Sequence, residues 1–209
     1  MNVLILIDLQ NDFCPGGALP VPDGDQVIPV VNRLQKRFDL VVATQDWHPA
    51  DHGSFAANHP GKRPGEVIDL AGLPQILWPV HCVQNTPGAA LRADLDQTAI
   101  ARVFQKGTDP TVDSYSTFFD NAHRKSTGLG EYLKQRGVGD VYLCGLATDY
   151  CVKFSALDAV ALGFQVYLIA DASRGVNLHA GDVEKALAEM RTKGVRVVYS
   201  EDLLRGPAV

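Results

Sequence analysis

Cysteine is scarce in this chain. Only four of its 209 residues are cysteines, and Cys14, Cys82, Cys144 and Cys151 lie far apart. So few and so scattered thiols build no disulfide framework in a mid-sized chain, and reduced cysteines are expected. Positive charge is also in deficit, with 19 Lys and Arg against 24 Asp and Glu and a formal net charge of -5. The basic residues fall in separate pairs such as Lys36-Arg37 and Arg124-Lys125. No basic stripe follows a phosphate backbone, which argues against nucleic acid as a partner. Long apolar runs are missing too: the opening MNVLILID has no cationic start, and its apolar run ends at Asp8. That is too short for a signal peptide or a membrane span, so a cytoplasmic protein without a membrane partner is expected. Internal repeats, low-complexity tracts and linkers are absent, leaving one domain over residues 1–209 as the expectation.

What is present is an alternation of two kinds of segment. VLILI (3–7), DLVVATQ (39–45), ARVFQ (101–105), DVYLCGL (140–146), FQVYLIA (164–170) and VRVVY (195–199) are short and nearly continuously apolar, as strands buried on both faces must be. Between them, residues 27–37, 128–136, 149–162 and 181–193 have helical spacing, the last ending at Gly194. Alternation of this kind predicts an α/β fold: a single-domain, mostly parallel six-stranded sheet with helices on both faces. Residues 47–95 break the rhythm with much Pro, Gly, Asn and His. So long an irregular stretch inside a domain is usually functional or disordered, and its His and Trp content favours function.

Parallel sheets bind ligands beyond the C-terminal ends of their strands. Asp8, Asp46 with His48, Lys106 and the stretch GLATDYCVKFSALDAV (145–160) all fall there. In that stretch Thr148 and Asp149 are good helix N-caps, which places Cys151 in a first helical turn, where the macrodipole favours a thiolate. The plainer reading, a small buried hydrophobe, is accepted for Cys14, Cys82 and Cys144. Asp8 follows an apolar strand, where a carboxylate needs a partner. Lys106 alone would be an ordinary strand-end lysine. Together the three supply a base, a cation and a nucleophile, the set that covalent catalysis requires.

A second constellation joins TQDWHPADHGSFAANHP to WPVHC. Asp46 and His48 are two apart, so an extended backbone points both side chains to one side, and His81 completes a three-ligand set. Two His and one carboxylate suit one divalent ion, Zn, Fe or Mn, without separating these metals. His52, Ser54 and His59 are further candidates. The plainer reading is a set of histidines capping turns in a Pro-rich loop.

Taken jointly, DLQNDFCPGG, TQDWHPADHGSF, WPVHCVQNTPG, QKGTDPTVDSYSTFFDN and GLATDYCVKFSALDA resemble the motifs of the nicotinamidases, also called pyrazinamidases, within the isochorismatase-like cysteine hydrolases. The resemblance spans nearly the whole chain in the family's order. It implies hydrolysis of nicotinamide in pyridine nucleotide salvage, with Asp8, Lys106 and Cys151 as catalytic triad and Asp46, His48 and His81 as metal ligands. It also implies a cis peptide between Leu146 and Ala147, an oxyanion hole from the N–H groups of Ala147 and Cys151, and a ring pocket formed by Phe13, Leu19, Trp78, Tyr115, Leu146 and Ala147. Rival readings are amidases of carbamoyl or ureido compounds, an isochorismatase, a non-catalytic metal-binding or ligand-sensing domain, and a thiol oxidoreductase. The last lacks a CxxC, and the isochorismatases of the family lack the cysteine. The sequence leaves homo-oligomerisation and the role of Tyr150 open.

Overall fold

The computed structural model describes residues 1–205. In chain order its strands are β1 (Asn2–Ile7), β2 (Leu40–Asp46), β3 (Val67–Leu70), β4 (Leu73–Ile76), β5 (Ile100–Lys106), β6 (Asp140–Leu146), β7 (Gln165–Arg174) and β8 (Arg196–Val198). The α-helices are α1 (Val27–Leu34), α2 (Leu129–Gln135), α3 (Lys153–Ala161), α4 (Asp182–Thr192) and α5 (Ser200–Arg205). Six strands form one sheet in the order β5-β2-β1-β6-β7-β8, and every neighbouring pair is parallel. The six strands expected from apolar runs are these six.

Alternation along β1 sets up two cores. Val3, Ile5 and Ile7 point to one face and pack with Leu129 and Leu133 of α2, Ala156 of α3 and Met190 of α4. Leu4 and Leu6 point to the other face and meet Val27, Ile28, Val31 and Leu34 of α1, with Leu203 and Leu204 of α5 at the margin. All five are fully buried, and burial of each such side chain contributes about 1.5–3 kcal/mol. Burial on both faces is what made β1 read as an unbroken apolar run.

The excursion between β2 and β5 carries more order than its composition suggests. It contains the antiparallel hairpin β3–β4, with Val67 opposite Ile76 and Leu70 opposite Leu73. Gly145 sits near the end of β6 with φ +120°, and a Cβ there would lie 2.1 Å from the carbonyl oxygen of Ile7. Only glycine lets β6 approach β1 this closely, and the approach brings the turn after β6 beside Asp8.

Candidate active site

Asp8 follows β1 directly, has φ 51° and is fully buried. The β1–β2 register sets Leu6 opposite Ala43, which brings Thr44 beside Asp8. The Thr44 hydroxyl donates to Asp8 Oδ1 at 2.6 Å. Asp8 Oδ2 lies 2.9 Å from Lys106 Nζ, so the carboxylate is held between the Thr44 hydroxyl and the lysine. Lys106, at the end of β5, also hydrogen-bonds Asp46 Oδ1, donates to the Ser114 carbonyl at 2.9 Å, and lies 3.4 Å from Cys151 Sγ. Three strand ends of one sheet thus bring Asp8, Lys106 and Cys151 together.

The electrostatics of this cluster correct one expectation. Burial pushes the Cys151 thiol up; Lys106 opposes this, but Asp8 and Asp46 add to it, and the net direction is well above an ordinary thiol. Burial likewise raises Asp8, with Lys106 opposing and Asp46 reinforcing. Burial disfavours the charged Lys106, but the carboxylates of Asp46 and Asp8 override this and hold it protonated. The resting cluster is therefore a lysinium beside carboxylates and a protonated thiol, with the base next to the proton it would take.

The start of the cysteine helix is a second correction. Residues Thr148–Val152 form a π-helical turn leading into α3, and no side chain caps it. The Asp149 carboxylate turns instead to the loop after β7 and accepts the N–H groups of Val176 at 2.9 Å and Asn177 at 2.7 Å. The Leu146–Ala147 peptide is cis, as the resemblance implies.

Asp46 Oδ2 lies 3.6 Å from His48 Nε2 and 3.9 Å from His81 Nε2. His48 Nδ1–H donates to the Gly107 carbonyl at 2.8 Å and His81 Nδ1–H to the Pro79 carbonyl at 2.7 Å. With both Nδ1–H groups committed outward, both Nε2 atoms face the carboxylate; burial disfavours the charged His48 ring, but Asp46 outweighs it and raises that histidine. Ring nitrogens held by such outer hydrogen bonds suit a divalent ion. Burial and His48 lower His81 to about 4, against the pull of Asp46, so its ring is a neutral ligand at pH 7. Burial would raise Asp46, but Lys106, His48 and His81 hold it far below the usual carboxylate range. The donors fit a metal.

The further candidates divide. His52 is fully buried and its ring lies 4.3 Å from that of His48. Its Nδ1 accepts the Ser54 N–H at 3.1 Å and contacts the Ser54 hydroxyl at 2.7 Å. That places its ring proton on Nε2, on the side of the Val112 backbone, so His52 presents no Nε2 lone pair to the cluster. His59 donates to the Gly53 carbonyl at 2.7 Å and stays outside the cluster.

A pocket opens onto this constellation and is lined by Phe13, Leu19, Trp78, Tyr115, Ala147 and Cys151, with Asp46 and His81 also in its wall. Tyr150, Asp113 and Val176 complete the wall. Leu146 is the exception to the expected set: it is 1% exposed and packs into the core beneath Gly24. Sequence reasoning missed Thr44, Asp113 and Gln75. Gln75 Nε2–H donates to Asp113 Oδ2 at 3.0 Å and to the Tyr115 hydroxyl at 3.3 Å. Its position in a hairpin without an apolar run gave no signal; Thr44 was legible only through strand register.

The chain belongs to the Isochorismatase family, described as the isochorismatase domain, which residues 2–202 match. Within it the chain stands with the nicotinamidases and pyrazinamidases. It is 53% identical over 205 residues to the nicotinamidase of Escherichia coli (strain K12), with 96% of each chain covered. Among solved structures it superimposes on an Acinetobacter baumanii nicotinamidase/pyrazinamidase with a TM-score of 0.94, 47% identity and 97% of each chain covered. On a Pyrococcus horikoshii pyrazinamidase in complex with zinc the TM-score is 0.77, at 42% identity, covering 95% of this chain and 98% of that one.

Proposed function

We propose that the chain hydrolyses nicotinamide to nicotinate and ammonia, and pyrazinamide likewise, through a thioester on Cys151. The observation that carries this reading is the placement of Cys151 Sγ 3.4 Å from Lys106 Nζ, itself 2.9 Å from the buried Asp8 carboxylate. The relatives' names supply the substrate class.

Asp8 takes the thiol proton as Cys151 Sγ bonds to the carboxamide carbon, and the carbonyl oxygen becomes an oxyanion. The N–H groups of Ala147 and Cys151 hold that oxyanion; donors so placed contribute ~3–4 kcal/mol each to the transition state. Asp8 then gives the proton to the amide nitrogen, the C–N bond breaks, and ammonia leaves a thioester. Water adds to the thioester carbon while Asp8 takes one of its protons; breaking the C–S bond releases nicotinic acid, which gives its carboxyl proton to the released ammonia or to solvent to become nicotinate, and the thiolate recovers its proton from Asp8. Lys106 stays protonated throughout and offsets the negative charge passed between Asp8 and sulfur.

Asp46, His48 and His81 would hold one divalent ion, Zn, Fe or Mn. Such an ion offers a Lewis-acidic contact for the pyridine nitrogen, which aims the amide at sulfur. Phe13, Trp78 and Tyr115 enclose the ring. Among the described residues no helix is long and apolar enough to cross a membrane.

The test is ammonia release from nicotinamide by purified protein, before and after chelation with metal add-back. Release that chelation removes and metal restores is expected. Release unaffected by thorough demetallation would keep the cysteine chemistry and discard the metal's role. No release by reduced, metal-loaded protein would overturn the substrate assignment.

A further inference from the structure

Tyr150 precedes the nucleophile in the chain, and its ring lies between two hollows. The inner one is the ring pocket with Phe13, Leu19, Trp78 and Cys151. The outer one is an open cleft whose wall includes Ile76, Lys153, Phe154, Lys185 and Glu189. Two side chains border both hollows, Tyr115 and Tyr150. They are held very differently. The Tyr115 hydroxyl accepts the Trp78 Nε1–H at 3.1 Å and the Gln75 amide at 3.3 Å, which fixes that ring. Tyr150 is half-buried and its hydroxyl has no hydrogen bond among the described residues. Its ring is positioned by packing alone, edge-on to Trp78 at 5.0 Å and to Tyr115 at 5.6 Å.

We infer that Tyr150 is the specificity-determining partition of this site: its ring closes the pocket against the outer cleft and so confines the substrate to one small aromatic ring. The inference rests on the amidase reading above and deepens it. Beyond the partition the cleft wall combines Ile76, Phe154 and Ala186 with two ion pairs, Lys153 3.4 Å from Glu189 and Lys185 3.3 Å from Asp182. The substrates that the partition excludes are therefore pyridine carboxamides whose ring carries a bulky substituent. The restriction comes from the ring's bulk, because the hydroxyl is unbound.

The experiment compares kcat/KM for nicotinamide with kcat/KM for nicotinamides carrying methyl, propyl or hydroxyethyl groups at ring positions 5 and 6. It is run in the metal-loaded wild type, Tyr150→Ala and Tyr150→Phe, with Lys185→Ala as a cleft control. Tyr150→Ala is expected to raise the substituted-to-unsubstituted ratio by at least about tenfold for one or more bulky members, while Tyr150→Phe and Lys185→Ala stay within about threefold of wild type. An unchanged ratio in a Tyr150→Ala protein with native circular dichroism would overturn the partition, as would equal relaxation by Tyr150→Phe. Should the alanine variant not fold, Tyr150→Leu is read by the same criterion. Equilibrium binding of the same compounds to Cys151→Ala, with and without Tyr150→Ala, gives a readout independent of turnover. Wild-type protein inert toward nicotinamide would count against the amidase reading, whereas selective binding of the bulky compounds by the double variant would still support the partition.

Discussion

At the scale of single residues, the nucleophile proposed above would be generated in place rather than kept charged. Cys151 is 7% exposed and its thiol is pushed up by burial, so everything depends on Asp8 taking the proton during the reaction. Cys151→Ala should lower turnover by at least about 10³-fold with fold and metal content retained; substantial residual ammonia release would contradict the covalent scheme. Thr44→Val tests the base. The lost hydroxyl donates to Asp8 Oδ1 at 2.6 Å, and a hydrogen bond to a charged group is worth about 1.5–3 kcal/mol, or roughly 10- to 100-fold in rate if it is kept in the transition state. The sign of the pH effect follows. The Thr44 bond lowers the Asp8 pKa, so its removal raises that pKa further. The base must be ionised to act, and activity falls as pH drops through its pKa. The acid limb of kcat/KM should therefore move to higher pH in Thr44→Val, and an unmoved limb would mean that Asp8 is not the base. Asp8, Lys106 and Cys151 were legible because each stands where an apolar strand stops. Thr44 was not, since within DLVVATQ nothing marks it as the residue beside Asp8.

At the scale of elements, loops and strand ends hold the chemistry in place through few contacts. Gly107 has φ +64°, and a Cβ there would come within 2.4 Å of the His48 ring. Gly107→Ala should displace that ring and lower metal affinity about 10- to 100-fold, the usual cost of disturbing a ligand's outer support; competition with a fluorescent chelator reads it, and unchanged affinity would count against His48 as a ligand. Asp149 ties the cysteine turn to the loop after β7 through two N–H bonds, and that loop supplies Val176 to the pocket. Asp149→Ala should cost about 1–3 kcal/mol in denaturant unfolding by leaving those amides unpaired and should raise KM. The sheet was legible because strands buried on both faces leave continuous apolar runs. The hairpin β3–β4 was not, as Val67 is 60% exposed and the four-residue strands carry no apolar stripe. The last residues of β7, Asp171 to Arg174, are mostly polar, so the apolar run stopped short of the true strand end. The capping role read for Asp149 failed because a carboxylate at a helix start can equally serve a neighbouring loop, a choice set by tertiary placement.

At the scale of the whole molecule, one sheet lies between two apolar layers, and the candidate metal ligands come from segments far apart in the chain. Asp46 ends β2, His48 follows it, and His81 belongs to the long excursion, whose residues 78–83 meet the end of β2 by a parallel bridge between His48 and Val83 and the His48 N–H bond to the Cys82 carbonyl. An ion held there clamps that excursion to the sheet, so metal affinity becomes folding free energy. Free ion at 100 times its dissociation constant adds about 2.7 kcal/mol if the unfolded chain does not bind it. For a chain of this size each kcal/mol moves Tm by about 2–4 °C, so chelation should lower Tm by roughly 5–10 °C. If residues 1–209 form one domain, the metal-loaded and the chelated protein each melt in a single transition. Two transitions, with only one responding to metal, would instead mean that the excursion folds as a unit apart from the sheet. A Tm indifferent to metal, in protein that binds the ion stoichiometrically, would place the ion away from Asp46, His48 and His81, because no ion can bridge those three without joining β2 to the excursion.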